Sequence, residues 1–446
     1  MKILLKGGTL VNEHKVFSAD IVIEDAFIEG VYPQGAPDAP YAHIHHLQGK
    51  YVFPGLIDDQ VHFREPGLTH KGDLFTESRA AVAGGITSFM EMPNTVPSAV
   101  TQGLLEEKYI RASEVSLANY SFYMGTTNRN LDELLKTNPE TVCGVKIFMG
   151  SSTGDMLVDD PEALHAIFRE VNMLIAVHCE DDPMIKSTMA RYKQQFGEAI
   201  KPAHHPQIRS REACYKSSSY AVELASKYNT RLHILHISTL EELSLFSNKN
   251  PLSEKRITAE ACIHHLFFSD RDYAAKGNLI KWNPAVKTEA DREAIIDAVN
   301  RDVIDVIATD HAPHTLQEKS MPYVNCPSGG PLVQHLLPAL LELYHRNAFS
   351  LETIADKTAH KPAELFGIEK RGYIRKGYYA DLVIADINGI TDVKKENLLY
   401  KCGWSPFEGI SLRGKVLHTF VNGNHVYDNG VIIDQTRGMR LAFARK

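Results

Sequence analysis

What most limits how this chain can fold is an alternation of short, almost wholly apolar runs with stretches long enough for helices. The series opens at Leu56-Ile-Asp58 and continues at 86–90, 119–123, 144–148, 174–178, 232–236, 256–260 and 303–310. Runs of this length without polar alternation read as strands buried on both faces, which implies a parallel sheet with helical crossovers. Eight of them in 446 residues predict a closed (β/α)8 TIM barrel rather than an open doubly wound sheet. In such barrels the chemistry sits at the C-terminal ends of the strands. Polar residues fall at those ends, because His62, Lys146, His178, His236 and Asp310 each close an apolar run.

The two ends of the chain share a different texture. Lys2-Ile-Leu-Leu-Lys and Asp20-Ile-Val-Ile-Glu24 are short runs broken by Gly, Pro and Asn, and similar runs return at 380–386, 415–423 and 424–430. They predict antiparallel strands joined by tight turns, with Asn422-Gly423 as a hairpin signal. The expected division is a discontinuous small β-sandwich domain from 1–54 and 372–446, and a barrel over 55–371.

Composition narrows the class. A hydrophobic share of 43%, a charged share of 23% and a net charge of −7 describe a soluble globular protein with no sign of nucleic-acid binding. Six scattered cysteines predict reduced thiols. The opening apolar run is too short for a signal segment, and no stretch approaches a membrane span. A cytoplasmic enzyme or enzyme-like protein is expected, and an anionic substrate would need a local basic site.

The segment Pro54-Gly-Leu-Ile-Asp58-Asp-Gln60-Val-His62-Phe-Arg64-Glu-Pro-Gly67 reads as a strand end. Side chains two apart on a strand share a face, so Gln60, His62 and Arg64 are expected in one cavity, with Asp59 facing away. Metal enzymes of this pattern carry His, His and Arg there. Gln60 stands in place of the first His, and a neutral amide oxygen is a poorer zinc ligand than imidazole. The count of bound ions, one or two, is therefore open, and so is full activity. His178 and His236 end apolar strands, where a polar side chain must find a partner, and both read as metal ligands. Lys146 has two readings, a salt-bridged ammonium or a lysine carbamylated by CO2 to give an anionic bridging arm. Asp310 is either a helix cap or a metal ligand that also works as general base. His43, His45, His46, His204 and His205 lie in loop-like sequence and read as ordinary residues.

Taken together, several motifs stand in the order found in dihydroorotases. They are Asp58-x-Gln-Val-His-Phe-Arg-Glu-Pro-Gly67, Met92-Pro-Asn-Thr95, Gly144-x-Lys146, Glu260-Ala-Cys-Ile-His-His265, Asn283-Pro284 and Asp310-His-Ala-Pro-His314. Gly372-Tyr-Ile-Arg-Lys-Gly-x-x-Ala-Asp-Leu-Val383 and Ser405-Pro-Phe407 extend the match. Over nearly its whole length the chain resembles these cyclic-amide hydrolases of the amidohydrolase superfamily, which act in pyrimidine synthesis.

That resemblance implies a set of roles. His62, carbamylated Lys146 and Asp310 would hold one Zn2+, and Lys146, His178 and His236 a second. Arg64, Asn94 and His314 would bind the substrate carboxylate, Asn283 would lie near the ring, and His264 or His265 would add a polar contact. Lys146 aligns the chain with the lysine-dependent group. The implied reaction is the reversible cyclisation of N-carbamoyl-L-aspartate to L-dihydroorotate, with Asp310 carrying the proton. An arginine fork matches a carboxylate bidentately, so Arg64 favours this reaction over those of allantoinases, hydantoinases and dihydropyrimidinases. Gln60 leaves a second reading, an inactive dihydroorotase-like partner of aspartate transcarbamoylase, although the retained His62, Lys146, His178, His236 and Asp310 weigh against it. The expected partners are the small-molecule substrates, a second copy in a homodimer and aspartate transcarbamoylase, with neither nucleic acid nor membrane. Gly150-Ser-Ser-Thr-Gly154 suits a mobile lid or, equally, a plain surface loop.

Overall fold

The computed structural model describes residues 1–150 and 156–444, so 151–154 of the expected lid segment lie outside the described residues. The N-terminal strands are β1 (Lys2–Asn12), β2 (Lys15–Glu24), β3 (Phe27–Tyr32), β4 (His43–His46) and β5 (Tyr51–Pro54). The barrel follows with β6 (Leu56–Val61), β7 (Ile86–Glu91), β8 (Asn119–Phe122), β9 (Met124–Gly125), β10 (Val145–Phe148), β11 (Ile175–His178), β12 (Leu232–Ile234), β13 (Ile257–Cys262) and β14 (Val306–Ala308). The chain ends with β15 (Leu382–Asp392), β16 (Ser411–Val421), β17 (Asn424–Asp428) and β18 (Val431–Ile432).

Every apolar run predicted for the barrel becomes a parallel strand, in two ladders ordered β6-β7-β8 and β9-β10-β11-β12-β13-β14. β8 and β9 are one strand interrupted at Tyr123. The Tyr123 N–H donates to the Glu91 carbonyl at 3.0 Å, whereas the Met124 N–H donates to the Gly144 carbonyl at 3.0 Å, so the chain changes neighbours there. Closure comes from a parallel bridge between Val61 and His311, with the His62 N–H donating to the His311 carbonyl at 2.7 Å. Asp58 reinforces this seam by accepting from the Thr309 N–H at 3.1 Å and the Thr309 hydroxyl at 2.6 Å.

The crossover helices start where side chains satisfy the free N–H groups of a first turn. Asp73 caps Leu74–Ala83, Asp160 caps Pro161–Glu170, Ser210 caps Arg211–Tyr228 and Thr288 caps Glu289–Asn300. One crossover departs from the expected pattern. Between β12 and β13 only the 3-10 turns Glu241–Leu245 and Leu252–Glu254 form, because Asn248-Lys-Asn-Pro251 is a turn sequence that breaks any helix.

Strands from both ends make one nine-stranded sheet, ordered β18-β17-β16-β15-β5-β1-β2-β3 with β4 beside β1. Its faces divide by strand alternation. Leu382, Ile384, Val52 and Phe420 join Ile3, Leu5 and Ile21 in the sheet's own core, while Val383, Ala385, Phe53 and Val421 pack into the core shared with the barrel. Asn422 and Gly423 form the two-residue hairpin predicted between β16 and β17. Both have positive φ, 50° and 75°, the turn whose twist matches its flanking strands. His43–His46, read from sequence as loop, instead forms β4 and pairs parallel to β1. Among the described residues no helix is long and apolar enough to cross a membrane, and Cys179, Cys214, Cys262, Cys326 and Cys402 form no disulfide.

Candidate active site

The C-terminal ends of the barrel strands surround a cavity of about 360 Å³ lined by Gln60, His62, Arg64, Asn94, Lys146, His178, His236, Asn283, Asp310 and His314. Each residue singled out from sequence for metal, proton transfer or substrate therefore faces one space, apart from His264 and His265. His264 stacks on Trp282 at 4.5 Å, and His265 Nε2 lies 3.2 Å from the Pro284 carbonyl. Both support the wall of the cavity.

Gln60, His62 and Arg64 reach the cavity differently from the expected strand alternation. β6 carries an extra residue between Asp58, opposite Phe89, and Val61, opposite Glu91, and such a bulge re-aims the side chains that follow it. The strand ends at Val61, and Arg64 has a left-handed φ of 73°. His236 and Asp310 also have positive φ, 40° and 50°. Backbone strain of this kind in non-glycine residues gathers at functional sites.

The deep end of the cavity is a cluster of ligand-type atoms. His178 Nδ1 and His236 Nε2 face each other at 3.0 Å, and His62 Nε2 lies 3.2 Å from Asp310 Oδ1. Lys146 Nζ is buried with no hydrogen-bond partner among the described residues, and so is His236 Nδ1. Burial holds the Lys146 amine down at about 7 and pushes the Asp310 carboxyl up to about 7. Burial also lowers His62, His178 and His236, which leaves the imidazoles neutral with lone pairs to offer. A buried Lys146 amine and a buried His236 Nδ1 left without partners each cost free energy on burial. The set accordingly fits a divalent cation, with converging nitrogen and carboxylate donors at separations close to the edge of a tetrahedral site, about 3.3 Å.

Gln60, expected as a weak substitute ligand, turns its nitrogen rather than its oxygen towards this cluster. Nε2 donates to Asp310 Oδ1 at 3.1 Å, while Oε1 faces Cys262 Sγ at 3.7 Å. A carboxylate attracts the amide N–H and repels the amide oxygen, so the carboxylate sets this orientation. Asp59 faces away from the cavity as expected, with Oδ2 3.2 Å from His233 Nε2 in a fully buried group that includes Glu260.

Another part of the lining carries a buried cation. Arg64 Nε donates to the Pro313 carbonyl at 3.0 Å, and its Nη2 lies 3.1 Å from His314 Nε2. Burial lowers Arg64 to about 10, so it stays charged, and burial together with the Arg64 cation holds His314 at about 3. Asn94 Oδ1 lies 2.7 Å from His62 Nδ1, which orients that ring. Asn283 Oδ1 is buried and makes no hydrogen bond to a described residue.

Sequence reasoning missed Glu180 and Arg209. Glu180 Oε2 is 2.9 Å from His178 Nε2, and Arg209 meets the same carboxylate at 3.1 and 2.8 Å. Burial opposes ionisation of Glu180, but the Arg209 guanidinium and His178 hold it down at about 2. This carboxylate therefore fixes His178 with Nδ1 towards the cluster, the usual arrangement behind a metal-ligating histidine. The signal was the spacing His178-Cys-Glu180, two residues apart at a strand end.

A parallel barrel carrying nitrogen and carboxylate ligand atoms at its strand ends defines a class of metal-dependent hydrolase, and the chain belongs to the amidohydrolase family, whose model matches residues 51–426. Within that family, curated relatives of similar length include dihydroorotases. The dihydroorotase of Halobacterium salinarum is 34% identical over 389 residues, covering 85% of this chain and 87% of that protein. The dihydroorotase of Methanosphaera stadtmanae is 30% identical over 414 residues, covering 92% and 94%. Among solved structures, the L-hydantoinase (dihydropyrimidinase) from Arthrobacter aurescens superposes with a TM-score of 0.92 at 24% identity, covering 99% of each chain. That likeness speaks for the fold.

Proposed function

We propose that this chain is a zinc-dependent dihydroorotase that interconverts N-carbamoyl-L-aspartate and L-dihydroorotate. The observation that carries the proposal is the placement of a buried, charged Arg64 in the same small cavity as the Lys146, His178, His236 and Asp310 cluster. Dihydroorotate is a cyclic amide with a carboxylate beside the ring, and it needs both chemistries within one cavity.

In this reading His62, Lys146 and Asp310 would hold one zinc ion and Lys146, His178 and His236 a second, with Lys146 carbamylated on the Nζ that has no hydrogen-bond partner among the described residues. Zinc bound there supplies Lewis acidity to the ring carbonyl and makes water a competent nucleophile near neutral pH. The chain's own residues do the rest. Arg64 is fixed through Nε to Pro313, which leaves the outer edge of its guanidinium to fork the substrate carboxylate. His314 and the amide nitrogen of Asn94 complete that pocket, and Asn283 Oδ1 accepts a ring N–H. In ring opening, Asp310 takes the proton from the attacking water and delivers it to the ring nitrogen as the carbon–nitrogen bond breaks. The products are a new carboxylate and a ureido group. Cyclisation runs the same steps in reverse.

Gln60 acts here as a hydrogen-bond donor that holds Asp310 in place. The substrates are small molecules, and the protein works in the cytoplasm, with homodimerisation and association with aspartate transcarbamoylase as further proposals. The test is turnover of dihydroorotate against uncharged hydantoin and dihydrouracil rings by wild type and Arg64→Lys. A point-charge ammonium cannot reproduce the fork, so the variant should lose dihydroorotate turnover selectively. A wild-type preference for uncharged rings would move the assignment to another cyclic amidase. An inert protein with its metals bound would leave the binding-partner reading.

A further inference from the structure

A second group of ligand-type side chains lies on the nine-stranded sheet, on strands that contribute nothing to the barrel cavity. On an undistorted strand His425 and Asp428, three apart, would face opposite sides. In the β16–β17 hairpin Thr419 pairs with Tyr427 but Phe420 pairs with His425, which leaves Val426 as an extra residue. This bulge restores the parity, so His425 and Asp428 come to the same face as His418, which sits directly opposite Asp428.

The resulting geometry is close to that of a metal site. His418 Nδ1 is 3.2 Å from His425 Nε2 and 3.2 Å from Asp428 Oδ1, and one ligand atom from each of the three residues lies within 4.8 Å of the others. Donors held about 2.0–2.2 Å from a tetrahedral ion are about 3.3–3.6 Å apart. Phe420 stacks on His425 with the rings 13° from parallel and 4.7 Å apart, which holds that imidazole in place. A third imidazole, His45 of β4, packs 5.2 Å from the His425 ring and 5.7 Å from the His418 ring.

We propose that His418, His425 and Asp428, with His45 as fourth donor, form a binding site for a divalent transition-metal ion of the zinc type, distinct from the barrel cavity. Three imidazoles and one carboxylate are a donor set that zinc takes up in tetrahedral geometry. An ion there would clamp β4, which is held in the sheet through β1, to the β16–β17 hairpin. The proposal does not depend on the reaction assigned to the barrel.

The test uses the full-length protein saturated with Zn2+, freed of loosely held ion by gel filtration and analysed for metal per chain. The His418→Asn/His425→Asn double variant should bind one zinc ion fewer than wild type while turning over dihydroorotate within about twofold of it. Co2+ added to protein whose barrel site is already zinc-filled should give the strong visible absorption of tetrahedral cobalt, and the double variant should lose it. Asp428→Asn and His45→Ala, milder changes that leave the hairpin intact, should each weaken this cobalt binding about tenfold or more, and they carry the test if the double variant does not fold. Equal zinc content in wild type and variants, with no cobalt absorption beyond the barrel site, would show a hydrogen-bonded trio and overturn the proposal.

Discussion

Replacing Gln60 by leucine probes what the amide does, because it removes both polar atoms while nearly keeping the volume. Gln60 is buried, and its Nε2 donates to Asp310 Oδ1 at 3.1 Å, the same oxygen that lies 3.2 Å from His62 Nε2. A hydrogen bond to a charged group is worth about 1.5–3 kcal/mol. If that bond holds Asp310 for proton transfer, its loss lowers turnover by about 10- to 150-fold at about 1.4 kcal/mol per decade. The loss should fall on kcat rather than KM, since Arg64 contacts His314 and the Pro313 carbonyl, not Gln60, and keeps those contacts. Steady-state kinetics with dihydroorotate, together with metal analysis of the same preparation, separates this from simple metal loss. Turnover within about threefold of wild type at unchanged metal content would refute the positioning role. The companion variant Gln60→His adds an imidazole able to ligate, so zinc at the His62 side should be retained about tenfold or more against a chelator. Should Gln60→His gain metal while both it and wild type stay inert on dihydroorotate, the missing ligand was not the limit, and the binding-partner reading takes over.

Asp310→Asn removes the proposed proton carrier and should cost at least about 10²-fold in turnover; near-normal rates in a folded variant would exclude that role. Lys146→Ala should lose metal and activity together, and a short carboxylic acid supplied in the buffer should restore part of both by filling the space of the proposed carbamate. An unmodified Lys146 mass in the active, metal-loaded protein would rule out the bridge. Glu180→Gln leaves His178 without its anionic partner and Arg209 without its counter-charge, so metal affinity should fall by about 10- to 100-fold. Unchanged metal retention on dialysis would count against that support.

The sequence by itself determined the barrel, because strands buried on both faces need unbroken apolar runs, a pattern that is local and visible in 446 residues. It determined the Asn422-Gly423 hairpin for a similar reason, since few residue pairs accept positive φ at both positions. His62, Lys146, His178, His236 and Asp310 were also legible, as each is a polar residue ending an apolar run. What only the tertiary structure decided depends on which distant segments meet. The turn of the Gln60 amide towards Asp310 follows from a carboxylate 250 residues away, and the choice of Arg209 as partner for Glu180 follows from the fold of the loops after β11. β4 escaped notice because an exposed edge strand of histidines needs no apolar alternation. The re-aimed Arg64 and the shared face of His425 and Asp428 each arise from a local break in strand regularity, and a pattern of period two cannot announce its own interruptions.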